Sequence, residues 1–536
     1  MTILYNTIGY HINADKFAYW AGENSIPKQF VVRQADTNTE VLRKELPPSQ
    51  FEALFELNLQ LCDFSEIREK GEYILEVGDF QQKIVVGEKP WEVLAQGVLK
   101  SFYFQRASME LEPQFAGKWA RPAGHPDTEV LIHASAAEAI LPEGAVISAP
   151  KGWYDAGDYN KYIVNSGISV WKILAVVEHL PQLASKISFN IPPDELQLPD
   201  LLVEVKWNLD WMSNMQAPDG GVYHKLTNLS FDSMQMPHTC LNPRYVVMKS
   251  TAASLYFAAS MAQAARVYKE YIPKVAKFWL NQAERAFAWA LDNPEQHYVQ
   301  PDDINTGPYA NSHTDDELYW AAWELWISTG KDIYQKHIDA QALSDELPQW
   351  WSVSTLGAIS AAMVKKDEGA KEHILRMAQQ LRAQQKQSPV HLAMQKDDFI
   401  WGSNGIVATQ GMILLIAAQL SSEKHYIQDA VRQLDYLLGI NPLGRSFVSG
   451  FGKNPPRFLH HRVSAGDDID EPIPGFLVGG PNIEQQDAHR LDPYPKDPPT
   501  LSYVDKRASF ATNEIAINWN APMVYLLWAV EELLTY

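Results

Sequence analysis

Two carboxylates stand three residues apart in the segment KGWYDAGDYNKY, residues 151–162. Asp155 and Asp158 flank an Ala-Gly pair, and we expect Gly157 to let the backbone turn tightly because glycine has no Cβ. Such a turn would bring both carboxylates to one small object, either a water molecule or a metal ion. The alternative is an Asx-type turn in which the carboxylates only satisfy their own backbone.

A third carboxylate with possible chemistry is Glu514, in the segment YVDKRASFATNEIAINWNAP, residues 503–522. Glu514 follows Asp505 by nine positions and precedes an apolar helical pattern. An acid near a helix start can also be there only because it interacts favourably with the helix dipole. The segment alone therefore leaves both interpretations open.

The segment SFVSGFGKNPPRFLHHR, residues 446–462, places His460, His461 and Arg462 after a loop rich in Gly and Pro. These polar side chains could simply be satisfied within the loop. Together with the carboxylates, however, they supply a candidate base, a candidate acid and a hydrogen-bonding wall. Glycoside hydrolysis needs two carboxyl groups on opposite faces of the scissile bond. The acid must stay protonated, so we expect burial or a neighbouring charge to raise its pKa.

Residues 1–88 show the period and the turn residues of β structure. Leu57, Leu59 and Leu61 alternate with polar residues, which is typical of a half-buried strand. Several short strands at this spacing predict a small β-sandwich domain. Further predicted strands are QFVVRQ, GEYILEV and QQKIVV.

After Pro90 the apolar residues follow the helical period, and we predict eleven helices. Ser250 is a good N-cap, and Pro273 suits a first helical turn. The long connections 217–249 and 440–513 are of the kind that is usually functional. A helical-hairpin barrel with its loops gathered at one end is the natural architecture. The predicted helices begin after Pro90, at Ser250, at Pro273, and near 164–182, 197–215, 316–328, 354–364, 371–386, 404–420, 423–438 and 515–534.

Composition excludes several classes of function. The net charge of -20 argues against nucleic-acid binding, which needs a basic surface, and against an anionic membrane. Only Cys62 and Cys240 are present, without a CxxC motif, so we predict no disulfide framework, no metal and no cofactor. The N-terminal residues lack the pattern of a secretory signal, and we expect a cytoplasmic protein. The sequence indicates no oligomeric state.

The motifs together resemble glycoside hydrolase family 9, over nearly the whole chain. The resemblance implies an immunoglobulin-like β-sandwich at residues 1–88, followed by a catalytic all-α (α/α)6 barrel at residues 89–536. The segments 446–462 and 503–521 match the two most specific signatures of the family. The motifs that carry the resemblance, in the family's order, are NTIGYHINADKFAYW, ARPAGHPD, GWYDAGDYNKY, DGGVYHKLT, DELYWAAWEL, WGSN, GINPLGRSFVSGFG, NPPRFLHHR, VGGPN and YVDKRASFATNE.

The resemblance also implies catalytic roles. Asp158 would be the general base, Asp155 would help to hold the nucleophilic water, and Glu514 would be the general acid. The family inverts the anomeric configuration, so base and acid should lie roughly 6.5–9.5 Å apart. Relatives with the N-terminal module can carry a Cys/His zinc site near the segment after ARPAGHPD, but this chain has no cysteine there.

Substrate-binding residues are implied in the same way. His460 and Arg462 would contact sugar hydroxyls, and Asp505 would orient that wall or the acid. The three further residues that the alignment suggests for sugar subsites are Tyr154, His224 and Trp401.

The expected substrate is a short oligosaccharide with β-1,4 glucosidic or glucosaminidic bonds. Because no secretion signal is recognisable, we expect exo action from the non-reducing end, as in the intracellular exo-β-glucosidase/glucosaminidase branch that the chain resembles. One alternative is an endo-β-1,4-glucanase, or cellulase, that cuts inside soluble chains. Another is a catalytically silent sugar-binding protein, against which the retained Asp155, Asp158 and Glu514 argue. A polysaccharide lyase is disfavoured by the paired acids and the negative charge.

Overall fold

The N-terminal part of the chain folds into two β-sheets. The structure is a computed structural model, and it describes residues 1–22, 27–339 and 342–535. One sheet has the order β1-β3-β7-β6 and the other the order β2-β9-β8-β4-β5. The strands are β1 (Thr2–Tyr5), β2 (Tyr10–His11), β3 (Phe17–Ala21), β4 (Gln29–Gln34), β5 (Glu40–Glu45), β6 (Gln50–Glu52), β7 (Leu57–Asp63), β8 (Gly71–Val77) and β9 (Phe80–Gly87).

All four predicted strand segments are strands, but the burial of the two faces of strand β7 differs from the prediction. We expected one face to be polar and exposed, whereas on that face Gln60 and Cys62 are buried and Asn58 is exposed. Leu59 belongs to the large core of the helical part, and Leu57 and Leu61 pack against that core. Cys62 belongs instead to the separate core between the two sheets. The leucine stripe of β7 therefore joins the sandwich to the rest of the protein.

Each of the eleven predicted helices is present, and short helices join them. Ser250 caps α5 as predicted, since its hydroxyl accepts from the Ala253 amide at 3.1 Å. The helices of the described ranges are α1 (Glu92–Phe104), α2 (Pro113–Ala116), α3 (Ile163–His179), α4 (Asp200–Asn214), α5 (Thr251–Tyr268), α6 (Pro273–Asp292), α7 (Asp315–Thr329), α8 (Ser354–Ser360), α9 (Glu368–Gln385), α10 (Ser403–Ser421), α11 (His425–Leu437), α12 (Arg462–Gly466), α13 (Phe510–Asn513) and α14 (Ile517–Thr535).

The long helices are arranged in a ring of neighbours. Helix α3 packs on α14 and α5, α5 packs on α7, α7 on α8, α8 on α9, α9 on α10, and α10 on α14. The ring thus returns to α3, which is consistent with the predicted helical barrel. Helices α3, α5, α10 and α14 are buried on nearly all faces. Helix α10 is long and apolar enough to cross a membrane by composition, but 89% of that stretch is buried in the protein, as in an ordinary core helix.

A small sheet stands where the sequence predicted only loops. It has the order β11-β10-β14-β13-β12. Its strands of two or three residues are too short to show a period in the sequence. The strands are β10 (Val130–Ile132), β11 (Val146–Ile147), β12 (Lys161–Tyr162), β13 (Lys225–Thr227) and β14 (Tyr245–Val246).

Hydrogen bonds from the sandwich reach a buried ion pair that lies inside helix α11. Arg432 Nη1 lies 2.8 Å from Asp435 Oδ2, and both side chains are almost fully buried. From the sandwich, Asn6 Nδ2 donates to Asp435 Oδ1 at 2.8 Å. Arg432 Nη2 donates to the Asp15 carbonyl at 2.6 Å, and its guanidinium lies 3.9 Å from the centre of the Phe17 ring. Charge and packing therefore hold the two parts together.

We predict that Arg432→Ala destabilises the whole chain. The substitution leaves the Asp435 carboxylate buried without its ion-pair partner, which costs about 3–5 kcal/mol of unfolding free energy. Arg43→Ala is the matched control, because Arg43 pairs with Glu40 at the protein surface, where such pairs contribute little. Urea unfolding of both variants measures the effect, and equal midpoints would contradict the role of the buried pair.

Candidate active site

The three segments singled out in the sequence meet at one place. The His460 amide donates to the Asn513 carbonyl at 2.9 Å, and residues 460 and 514 form a parallel β-bridge. The Arg462 amide donates to the Gly157 carbonyl at 3.0 Å. The Ile517 amide donates to the Asp155 carbonyl at 2.9 Å. Backbone hydrogen bonds thus join the histidine segment, the acidic segment and the DAGD turn.

Gly157 is required by a close approach rather than by a tight turn. Its φ lies outside the left-handed region that favours glycine. A Cβ added at Gly157 would lie 2.0 Å from the His460 carbonyl oxygen and 3.2 Å from Glu514 Oε1. The chain bends at residues 157–159, as expected, but it is the close approach that excludes a side chain at Gly157. Its bare Cα lets the turn that carries two acids lie directly against the segments of His460 and Glu514.

Asp155 is buried and holds two hydrogen bonds. Its Oδ1 accepts from Asn165 Nδ2 at 2.9 Å, and its Oδ2 accepts from the Tyr309 hydroxyl at 2.9 Å. Burial, and then the negative charge of Asp158, raises the pKa of Asp155 to about 8. This carboxyl therefore keeps its proton at a higher pH than an ordinary aspartic acid. Asn165 and Tyr309 were missed because no local motif contains them.

Asp158 is also buried, but hydrogen bonds fix only one of its oxygens. Asp158 Oδ2 accepts from the Asn160 amide at 3.2 Å and from the Asn160 side chain at a shorter distance. Asn160 is held in turn by Thr227, whose hydroxyl donates to Asn160 Oδ1 at 2.9 Å. Among the described residues no hydrogen bond reaches Asp158 Oδ1, so this oxygen can accept a proton from a water molecule.

Glu514 has the protonation behaviour of a general acid. Burial is the main reason that its pKa lies well above the usual value, and the charges of Asp158 and Asp155 raise the pKa further. The Arg462 guanidinium acts in the opposite direction. A carboxyl that keeps its proton close to a second carboxylate can protonate a leaving group. The sequence analysis expected burial or a neighbouring charge to raise the pKa of the acid, and both raise the pKa of Glu514.

His460 is neutral and has a defined tautomer. Its Nδ1 lies 2.8 Å from the Arg507 carbonyl oxygen. Because a carbonyl only accepts, Nδ1 carries the proton and Nε2 is an acceptor. Burial, more than any other cause, lowers the pKa of His460 to about 4.

Arg462 holds the protein backbone with two of its side-chain nitrogens. Nη1 donates to the Gly157 carbonyl at 2.8 Å, and Nε donates to the Asp232 carbonyl at 2.7 Å. The ring of Phe231 lies 5.4 Å from its guanidinium carbon. Arg462 therefore positions the DAGD turn, in addition to any contact with a sugar.

Asp505 organises the loop before His460. Its carboxylate accepts from the Arg457 amide at 3.0 Å and from the Phe458 amide at 2.9 Å. It also accepts from Arg445 Nη2 at 2.8 Å and from Asn513 Nδ2 at 2.9 Å. This arrangement agrees with an orienting role rather than with proton transfer.

Two of the three expected subsite residues lie inside the protein. The Tyr154 ring is fully buried, and its hydroxyl lies 2.8 Å from Nδ1 of His125. His224 is fully buried too, with Nδ1 at 2.9 Å from the Ser250 hydroxyl and Nε2 at 2.8 Å from the Pro308 carbonyl. These contacts occupy their polar atoms, so the structure does not place either side chain at a surface where sugar binds.

The third expected subsite residue, Trp401, is 39% exposed. Its ring packs on Phe510 at 5.2 Å, and Phe510 contacts the His460 ring at 6.1 Å. Trp401 therefore lies beside the histidine segment, and its ring is partly exposed. Phe510 was missed, although it lies within the acidic segment.

Behind the DAGD turn, Gln105 links helix α1 to the histidine segment. Gln105 Nε2 donates to the Ala156 carbonyl at 2.8 Å. Its Oε1 lies 3.1 Å from Nε2 of the buried His461, whose Nδ1 lies 3.0 Å from the Ser464 hydroxyl. No signal in the sequence marked Gln105, because it looks like the polar end of an ordinary helix.

The sequence of the helical part matches a known protein family. The family is glycosyl hydrolase family 9, and the match covers residues 91–527, which include every residue of the site. The chain belongs to this family. A cellulase N-terminal ig-like domain matches residues 1–82, the sandwich. The protein is thus a glycoside hydrolase, as predicted from its motifs.

Curated relatives of this glycoside hydrolase carry the names of β-glucan hydrolases. A xyloglucan-specific endo-beta-1,4-glucanase of Bacteroides ovatus is 40% identical over 99% of this chain and 94% of its own. Endoglucanase D of Acetivibrio thermocellus is 30% identical over 97% of this chain and 82% of its own. A cellodextrinase of Butyrivibrio fibrisolvens is 30% identical over 88% of this chain and 90% of its own.

Solved structures of the family share the whole architecture. A Bacteroides ovatus GH9 structure has a TM-score of 0.92 at 39% identity and covers 99% of both chains. The structure of AaCel9A in complex with cellobiose-like isofagomine has a TM-score of 0.91 at 31% identity, over 99% of this chain and 100% of the other. Sandwich and helical domain therefore superpose together.

We predict that Gly157→Ala separates the three segments of the site. The added methyl group overlaps the His460 carbonyl, and overpacking of this kind costs about 1–3 kcal/mol of stability. A shift of about 1 Å in the acids lowers kcat/KM about 100-fold. Gly369→Ala is the control, because its Cβ on helix α9 would meet no atom closer than 3.5 Å. Equal activity of the two variants would show that the close approach is unimportant.

Proposed function

We propose that this glycoside hydrolase cleaves β-1,4-linked glucans with inversion, with Asp158 as general base and Glu514 as general acid. The observation that carries the proposal is the different state of the two acids. Glu514 is held protonated by burial and by the charge of Asp158, whereas Asp158 has one oxygen free of hydrogen bonds from the described residues. One acid can thus donate a proton while the other accepts one.

In the proposed reaction a water molecule lies between Asp158 Oδ1 and the anomeric carbon. Asp158 takes a proton from the water as its oxygen attacks, and Glu514 gives its proton to the departing glycosidic oxygen. The bond between the anomeric carbon and that oxygen breaks, and the product has the α configuration. Asp155, held by Asn165 and Tyr309, helps to orient the water.

The substrates that we propose are soluble β-1,4-glucan chains and their oligosaccharides. Two relatives are named as endoglucanases and one as a cellodextrinase. Exposed aromatic rings occur beside both parts of the histidine segment, with Phe231 at Arg462 and Trp401 near His460. Rings so placed can stack on several sugars of one chain.

The mode of cleavage that these names support is internal cleavage. The exo action expected from the sequence has no support among the named endoglucanases, but a further relative, named cellulose 1,4-beta-cellobiosidase, is 28% identical over 98% of this chain. We therefore propose endo action, and we keep release of sugars from the non-reducing end as the alternative. The two modes give different products in the first minutes of reaction.

We predict that proton NMR of cellotetraose digestion shows α-anomeric products first, because inversion of a β bond gives the α sugar. Glu514→Gln and Asp158→Asn lower kcat by at least about 100-fold, since each removes a proton-transfer group. Glu110→Gln, at an exposed position, is the control.

Initial β-anomeric products would contradict inversion. Single sugars released from one end only would restore the exo mode, and the same assay on xyloglucan oligosaccharides and chitosan oligosaccharides identifies the preferred substrate.

We predict a pH profile set by the raised pKa of Glu514. The acid works only while protonated, so kcat/KM falls as pH rises through its pKa, at a higher pH than for an ordinary glutamic acid. In Asp158→Asn the neighbouring negative charge is lost, and the pKa of Glu514 falls. Carbon-13 NMR of the glutamate carboxyls, with Glu514→Gln to assign the signal, measures this shift. An unchanged titration in Asp158→Asn would mean that the two acids do not interact.

A further inference from the structure

A cavity of about 340 Å³ opens between helices α9 and α10 and the loop that precedes α8. Helix α9 contributes Met377 and Leu381 to its lining, and helix α10 contributes Ile406 and Gln410. Cavities of this volume lie in the range that binds small molecules. None of the three catalytic acids lines the cavity. We call it the side cavity, because it is separate from the catalytic centre.

The loop before α8 forms one wall of the side cavity and is closed by backbone hydrogen bonds. The Gln349 amide donates to the Ser352 carbonyl at 3.0 Å, and the Ser352 amide donates to the Gln349 carbonyl at 3.1 Å. Trp350 and Trp351 stand at the tip of this tight turn. Their rings lie 5.4 Å apart and are almost perpendicular, at 87°. The turn therefore presents two tryptophan rings in different directions.

The side cavity lies beside the catalytic centre. The Trp350 ring contacts the Tyr309 ring at 5.0 Å, and the Tyr309 hydroxyl is a donor to Asp155. Another part of the lining is Ile400, which directly precedes Trp401 of the expected sugar site. A sugar in the side cavity would therefore lie at the flank of the glucan chain.

The side cavity combines an aromatic ring with unpaired amides. Trp351 lines it and is 41% exposed, so its ring can pack on the apolar face of a sugar. Gln349 and Gln410 also line it, with exposures of only 9% and 1%. Gln349 Nε2 and Gln410 Oε1 have no hydrogen-bond partner among the described residues. Sugar hydroxyls can satisfy such amides, because a hydroxyl both donates and accepts.

The charge of the lining narrows the class of sugar. Among the described residues the lining has no lysine, arginine or histidine, and its carboxylates are Asp345, Glu346, Asp397 and Asp398. Carboxylates accept hydrogen bonds from hydroxyls but repel another anion. The side cavity therefore suits a neutral sugar and disfavours a sugar acid or a sugar phosphate.

We propose that the side cavity binds a neutral sugar that branches from a β-1,4-glucan, while the glucan backbone lies across Asp158 and Glu514. This inference rests on the proposed function and names its substrate class more narrowly. The turn that carries Trp350 separates the side cavity from Asp155, so a sugar of the backbone itself does not fit the arrangement. A sugar joined to a side hydroxyl of the backbone projects away from it and can reach past the turn.

The alternative is a packing gap between α9 and α10 that holds only water. Water can complete the hydrogen bonds of the two amides. Such a gap has no need of a partly exposed indole ring at its wall, whereas a sugar site does. The two interpretations differ in their effect on branched substrates alone.

The kinetic test compares xyloglucan oligosaccharides, which are branched, with cellotetraose, which is not. We expect Trp351→Ala to lower the ratio of kcat/KM for the branched to the unbranched substrate about 10-fold, because a stacking contact is lost. Gln410→Leu, which keeps the volume but removes the amide, should lower the same ratio. Phe278→Ala removes another exposed aromatic ring, on helix α6 outside the side cavity, and should keep the ratio.

Binding is measured separately from catalysis, by calorimetry in the Glu514→Gln background. Adding Trp351→Ala should weaken binding of the xyloglucan oligosaccharide about 10-fold more than binding of cellotetraose. Equal weakening for both ligands, or no weakening for either, would overturn the proposal. Failure of the unmutated protein to hydrolyse either substrate would instead contradict the proposed function, and calorimetry would still decide whether the side cavity binds the branch. Circular dichroism of each variant shows that the chain is folded.

Discussion

The approach of the Gly157 backbone to the His460 carbonyl is the constraint on which the site depends. Three segments from distant parts of the sequence meet there through backbone hydrogen bonds, so the positions of their acids are set by the main chain. Any side chain at residue 157 would separate them. The surrounding groups, such as Gln105, His461 and Arg462, hold the same turn from behind. The catalytic geometry is therefore a property of the backbone packing.

The same packing determines the protonation of the acids. Asp155, Asp158 and Glu514 lie close enough that their charges act on one another, and burial removes the water that would screen them. Such a group of carboxyls does not ionise completely at neutral pH, because each negative charge raises the cost of the next. Donors hold both oxygens of Asp155 but only one oxygen of Asp158. In the proposed mechanism Asp158 accepts a proton with its other oxygen, while burial lets Glu514 retain its own.

The sequence was sufficient for the parts that obey a local rule. Period and capping identified all eleven helices, and the signature motifs contain the segments that the fold joins by backbone hydrogen bonds, those of Asp155, Asp158, His460, Asp505 and Glu514. The predictions that failed concern contacts between residues that are far apart in the sequence. Tyr154 and His224 were predicted to bind sugar, yet both are buried, because burial depends on the whole fold and not on a motif. Asn165 and Tyr309 were missed for the same reason, since helix α3 and a distant loop bring them to Asp155.

The contact between the sandwich and the loop before His460 has a consequence for the history of the enzyme. Thr7 donates its amide to the Leu438 carbonyl at 3.0 Å, and its hydroxyl accepts from the Lys453 amide at 3.1 Å. Asn6 contacts the buried Asp435. An exchange of only the first domain between relatives would keep the main-chain bond but would lose the side-chain bonds wherever the incoming domain lacks Asn6 or Thr7. The second domain can therefore accept a new partner only if these two side chains come with it.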